Sequence, residues 1–313
     1  MNAILKSNLF AGILLLLQLF GAFFLILIPG FMDLPLPIIL ILTQTLFLLV
    51  PTTIYFIVTK APVKKTLRFN WPGFFTILLT LLFAIFVQPA MMFLSALSGL
   101  FFNNNISEIV TKLNSYPLIL MIGVIALTPA ICEEVTMRGI LLSGYDNVDI
   151  KKAMLLNGLF FGMLHADLQQ FLYAFALGAI FSYLVRLTDS IIPSMVAHFT
   201  INGSQLLMQR FISHMATFTG QDLSTLASIE PTLYDKLIAL GFIAILAVII
   251  TPIAGILLYA IRDMNINKKR KDDKNLSNHK VFNWPVWVSI GIFIPYMVIT
   301  LSLQYILDLL DKF

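Results

Sequence analysis

Long apolar runs alternate with short polar segments along almost the whole chain. Most approach the roughly 20 residues that a helix needs to cross a hydrocarbon layer about 30 Å thick. They lie at about Asn8–Ile28, Leu36–Val58, Gly73–Leu97, Pro117–Arg138, Ala153–His165, Phe171–Leu187, Ile191–Gln209, Leu237–Ile261 and Trp284–Ile306. The pattern predicts an all-α, polytopic transmembrane helical bundle of eight to nine spans. The fifth run is too short to cross unaided, and only Ala166 to Gln170 separates it from the sixth, so the two could be redivided. The first run follows Lys6, exceeds the apolar stretch of a signal peptide and is not followed by a small-residue cleavage pattern. It is expected to be retained.

Composition agrees with this reading. Of 313 residues 59% are hydrophobic and 12% charged, against roughly 25% charged in soluble domains. Sixteen of the 20 Lys and Arg fall on one side of the nine-span arrangement, in segments around Lys6, Lys60 to Arg68, Arg138 to Lys152, Arg186 and Arg262 to Lys280. Cytoplasmic loops carry this excess, so the N-terminus is expected inside, the C-terminus outside, and the protein in the cell membrane. The net charge of +4 then reports topology, with the lipid bilayer as partner and no nucleic acid. The basic run Asn267 to Lys280 reads as such a signal, with anionic headgroups as a second reading. Asn105-Ile106-Ser107 is a glycosylation sequon in an expected outer loop. The single cysteine, Cys132, excludes an intramolecular disulfide and a Cys-rich zinc site, and is expected to be an apolar filler.

No internal repeat stands out. The unusual polar residues concentrate in one block, giving a division into N-terminal transmembrane helices (1–116), a central core (117–209) and a C-terminal loop with transmembrane helices (210–313). Glu133 and Glu134 end the apolar run from Pro117 to Cys132. An ionisable group at the centre of a span costs roughly 2.5–3.5 kcal/mol on insertion scales and persists where it is paired or serves a site. Available partners are Arg138, His165, His198 and Asn202, whereas His214 and His279 are expected in loops. With about 1.5 Å of rise per residue, Glu133, His198, Asn202 and His165 lie about 9–18 Å from the basic side. A common site reached by water from the cytosol is geometrically possible. Glu134 and Arg138 share a helix face and can pair, Glu133 points about 100° away, and His198 and Asn202 project together. Phe161 shares the face of His165 and could wall the site, raising the pKa of a nearby carboxylate. Pro129, four residues before Glu133, can kink its helix and free a carbonyl.

Glu133-Glu134-Val135-Thr136-Met137-Arg138 reads as EExxxR, Phe161 to His165 as FxxxH and His198 to Asn202 as HxxxN. In this order, each on its own apolar segment, they resemble the motifs of the CPBP family, the CAAX proteases and bacteriocin-processing enzymes also called Abi. The resemblance covers about Pro117 to Gln209. It implies a membrane-embedded endopeptidase in which Glu133 and His165 activate water, while His198 and Asn202 polarise the scissile carbonyl and hold the oxyanion. Glu134, Arg138 and Phe161 would support them. The family is often catalogued as metalloproteases, and Glu133, His165 and His198 could supply a His₂Glu zinc set. A metal-free glutamate–histidine mechanism needs the same residues.

The substrate class left open is a hydrophobic or lipidated peptide or a membrane-protein tail, whether CAAX tail, leader peptide or pheromone. A non-catalytic regulatory or immunity partner of the same family is the alternative. A proton-coupled transporter is a third reading, disfavoured because no pseudo-symmetric halves are evident.

Overall fold

The computed structural model describes residues 2–102, 115–220, 231–266 and 280–310. The sequon at Asn105 and nearly all of the basic run, with His279, lie outside the described residues. Among the described residues there are ten helices: α1 (Ala3–Ile26), α2 (Leu36–Thr59), the single turn α3 (Val63–Thr66), α4 (Phe74–Ser98), α5 (Leu118–Leu141), α6 (Ile150–Leu164), α7 (Leu168–Thr188), α8 (Ile192–Phe218), α9 (Leu233–Asn265) and α10 (Trp284–Leu310). No strand occurs among the described residues. Seven of these helices are long and apolar enough to cross a membrane, so the chain is an integral multi-pass membrane protein. Nine long helices match the nine apolar runs. Large apolar side chains such as Phe23, Ile57, Val248 and Ile256 stay more than half exposed, facing the space that lipid would fill.

Two boundaries differ from the sequence reading. Helix α8 continues past Arg210 to Phe218, so His214 stands on an exposed helical turn rather than in a loop. No Gly or Pro interrupts the chain between Arg210 and Gly220 to stop it. The short fifth run is α6, which starts at Ile150 behind an Asp149 cap whose carboxylate accepts from the Lys151 and Lys152 amides. At 15 residues it rises about 22 Å, less than a bilayer core. It folds back on the 21-residue α7 through the tight turn at Ala166, and Leu142, Tyr145 and Val148 in the segment before it are buried.

The hairpin of α6 and α7 is the centre of the packing. At its crossing, a β-carbon built on Gly178 would fall 2.8 Å from the Gly158 Cα. Helix α8 lies against α4, α5 and α7, α9 covers α4, and α1 bridges α6 and α10. Three connections converge at the end of the bundle nearest the basic loops. Arg68, only 2% exposed, pairs with Asp146 and with Asp189 at 3.4 Å, and Asn70 donates to the Asp189 carbonyl at 2.7 Å. Nearby, the buried Tyr145 hydroxyl donates to Asn8 of α1; burial pushes the phenol well above its usual range.

Replacing Gly178 by Val should force the hairpin apart. Overpacking of this kind costs about 1–3 kcal/mol, so the detergent-solubilised variant is expected to lose its fold several degrees below the native protein in a thermal aggregation assay, whereas Gly241→Val on α9, where nothing stands within 4 Å, should not.

Candidate active site

Helix α5 departs from regular geometry twice, once before and once after the glutamates. Residues Ile122–Leu127 and Val135–Leu141 are π-helical, wider turns that recur at functional sites. Pro129 has no N–H to give the Ile125 carbonyl. Asn202 of α8 fills that vacancy, donating from Nδ2 to Ile125 O at 3.1 Å. The residue read as an oxyanion donor therefore also ties α8 to α5, with one amide hydrogen still unused.

Glu134 and Arg138 are fully buried, with Glu134 Oε1 3.1 Å from the guanidinium and 2.9 Å from His198 Nδ1. The guanidinium is sandwiched between aromatic rings, 4.1 Å from the centroid of Phe161 and 5.3 Å from that of Phe181, a cation–π arrangement that replaces part of its lost hydration. A carboxylate can only accept, so His198 Nδ1 carries the proton and Nε2 turns the other way. There it faces Glu133 Oε2 at 3.9 Å, too far for a hydrogen bond. The adjacent glutamates thus address opposite nitrogens of one imidazole. With both nitrogens protonated, the four side chains carry two charges of each sign.

His165 closes α6, and its Nδ1 lies 2.8 Å from the Phe161 carbonyl. A carbonyl accepts, so Nδ1 is the donor, and in the neutral ring Nε2 is the nitrogen with the lone pair. Glu133, His165, His198, Asn202 and Phe161 all line one cavity of about 420 Å³. Cys132 is buried in the apolar core. Glu133, His165 and His198, the residues that could supply a zinc set, share this cavity, and among the described residues no group of three or more His, Cys, Asp or Glu is gathered in metal-holding geometry.

The direction of the cavity differs from expectation. Its lining continues from Glu133 to Pro129, Ile125 and Val124 on α5 and from His198 to Gln209 on α8. Both sequences run away from the Arg68 end, where Arg138 and its two aromatic rings seal the site. Water approaching from the basic side would have to pass that buried sandwich. The depth estimate placed the residues at one level but carried no information on which side was plugged.

Several lining residues were missed by the sequence reading. Gln44 of α2 donates from Nε2 to Glu133 Oε1 at 3.2 Å. Tyr173 of α7 lines the cavity near His165 and donates to Gln170 at 2.6 Å, which in turn donates to Asp167 at 3.2 Å. Away from the cavity, the buried Asn157 of α6 donates to Met137 O at 2.8 Å inside the second π-helical turn. The available signal was an uncharged amide in an apolar run, as at Gln44 and Gln205.

Residues 115–204 match the family model described as "Type II CAAX prenyl endopeptidase Rce1-like". This stretch holds all three motifs in the helices that build the cavity. Over this stretch the chain is similar to that family, in line with the resemblance carried by its motifs. A relative from Bacillus subtilis (strain 168), "Putative membrane peptidase YdiL", is 28% identical over 108 residues, which cover 34% of this chain and 43% of the relative. The alignment therefore spans less than half of the relative's length. No solved structure matches the chain. The matched segment runs from just before α5 into α8, so Gln44 reaches the cavity from outside it.

Removing one member of a buried ion pair leaves the other uncompensated, at about 3–5 kcal/mol. Glu134→Gln is therefore expected to reduce the protein recovered from membranes severely, as read by quantitative immunoblotting. Gln44→Leu, at the cavity wall, should leave that amount unchanged.

Proposed function

We propose that this protein is an intramembrane endopeptidase of CAAX type that hydrolyses a peptide bond in a hydrophobic or lipidated peptide or membrane-protein substrate. The observation that carries the reading is the state of Glu133. One carboxylate oxygen is held by Gln44, while the other, Oε2, is buried without a hydrogen-bond partner on the wall of a cavity that His165 and His198 share. A buried, unpartnered carboxylate oxygen is costly in a structural role and suited to binding a water molecule.

Glu133 takes a proton from that water, with His165 Nε2 as a second acceptor, and the resulting hydroxide adds to the scissile carbonyl carbon. His198, held by Glu134 through Nδ1, donates from a protonated Nε2 to the developing oxyanion, and the unused hydrogen of Asn202 Nδ2 supports it. Prepositioned donors of this kind supply a large part of acyl-transfer catalysis. As the intermediate collapses, the C–N bond breaks and the proton held by Glu133 passes to the leaving amine. The chemistry uses only the protein's own groups. Apolar walls from Leu40, Val124, Leu177 and Ile201 favour an uncharged or lipidated substrate.

Loss of a general base typically costs 10²- to 10⁴-fold in rate. Peptide termini compared between membranes holding the native protein and the Glu133→Gln variant, at equal abundance, should show at least one terminus that disappears in the variant. A chelator arm run alongside should leave that terminus in place; its loss there would assign a metal to the reaction. Cleavage by Glu133→Gln at the native rate would overturn the role of Glu133, and identical termini in both samples would favour a non-catalytic membrane partner.

A further inference from the structure

The cavity is larger than four catalytic side chains require, and its polar lining is ordered. His198, Asn202, Gln205 and Gln209 all line it. Their spacings of four, three and four residues keep them within about 60° of one another around α8, at 100° per residue. The stripe runs over twelve residues, about 16 Å of helix rise from first to last, which matches five residues of extended peptide at about 3.3 Å each. Gln205 is exposed and Gln209 half-buried, so neither is a packed polar contact between helices. Across the cavity stand Thr43 and Gln44 of α2, and Gln44 Oε1 is a buried acceptor with no hydrogen-bond partner.

We propose that the stripe from Asn202 through Gln205 to Gln209, faced by Gln44, is a track that binds the backbone of an extended, uncharged peptide segment and leads it to Glu133. This rests on the endopeptidase reading and adds the chemistry of the ligand. A side-chain amide offers both a donor and an acceptor, the complement of a peptide backbone that presents N–H and C=O in alternation. A chain drawn out of water into an apolar bundle must have those groups satisfied, and the walls between the amides cannot do so. Charge selects further. Among the described residues, Glu133 is the one acidic side chain lining the cavity and no Lys or Arg lines it. Acidic side chains therefore find no Lys or Arg along the track, so it favours an uncharged segment. The track also fixes the approach: the segment enters from the end of the bundle opposite Arg68.

The test measures binding without turnover. A fluorescent ten-residue peptide of Leu, Ala, Ser and Gly, blocked at both ends, is titrated onto the full-length Glu133→Gln protein in lipid nanodiscs and followed by anisotropy. Adding Gln205→Leu and Gln209→Leu should weaken binding at least tenfold, whereas Gln205→Asn with Gln209→Asn, which keeps the amides, should restore part of it. N-methylation of alternate backbone nitrogens should weaken binding to the parent and have little further effect on the Leu variant. An affinity unmoved by the Leu substitutions, no binding by the parent, or tighter binding of the same peptide with its Ser residues replaced by Asp would each overturn the proposal. Cleavage of this peptide by the native protein is scored separately: binding that obeys the track with no cleavage would count against the endopeptidase reading and leave the track standing.

Discussion

The buried cluster of Glu134, Arg138 and His198 is the constraint around which the rest of the core is arranged. A guanidinium with no exposure inside an apolar bundle is tolerable only beside a carboxylate, and Glu134 supplies one a helical turn away. Two aromatic rings from the α6–α7 hairpin cover the guanidinium, so that hairpin must pack where it does. The same carboxylate oxygen orients His198, which sets α8 against α5. A single ion pair therefore determines the relative placement of four helices and aims one ring nitrogen at the cavity.

Glu133 depends on that arrangement without belonging to it. Its neighbour absorbs the charges, while Glu133 projects to the other side of the imidazole ring with one oxygen unpartnered. Irregular helix geometry makes room for this. The π-helical turns of α5 and the carbonyl freed by Pro129 widen the helix before and after the glutamates, and Asn202 restores the lost hydrogen bond from a neighbouring helix. At the basic end, Arg68 joins three connections through Asp146 and Asp189 and closes the bundle there. The cavity is left to open towards the opposite end, along the amides of α8.

Much of this could be read from residue order alone. Apolar runs marked nine long helices, and helical spacing paired Glu134 with Arg138 and placed Glu133 apart from them, because both depend on local periodicity. What escaped the sequence depends on contacts between distant segments. Arg68 read as a topology signal, since nothing local reveals that Asp146 and Asp189 come to meet it. Gln44 lies 89 residues from the glutamate it holds. The direction of the cavity was missed because depth along a helix is set by spacing, whereas the plug is formed by rings from two other helices. Asn202 was legible as a polar residue of the site but not as a cap on Ile125, which required knowing that Pro129 faces α8.

The central claim, that Glu134 and Arg138 are retained as mutually compensating buried charges, is tested most directly by a double-mutant cycle on thermal stability in detergent. Glu134→Gln and Arg138→Met are measured singly and together. The account predicts strong non-additivity: each single variant is severely destabilised, and the double variant, with no buried charge left uncompensated, is at least as stable as either. A double variant whose loss equals the sum of the two single losses would contradict it.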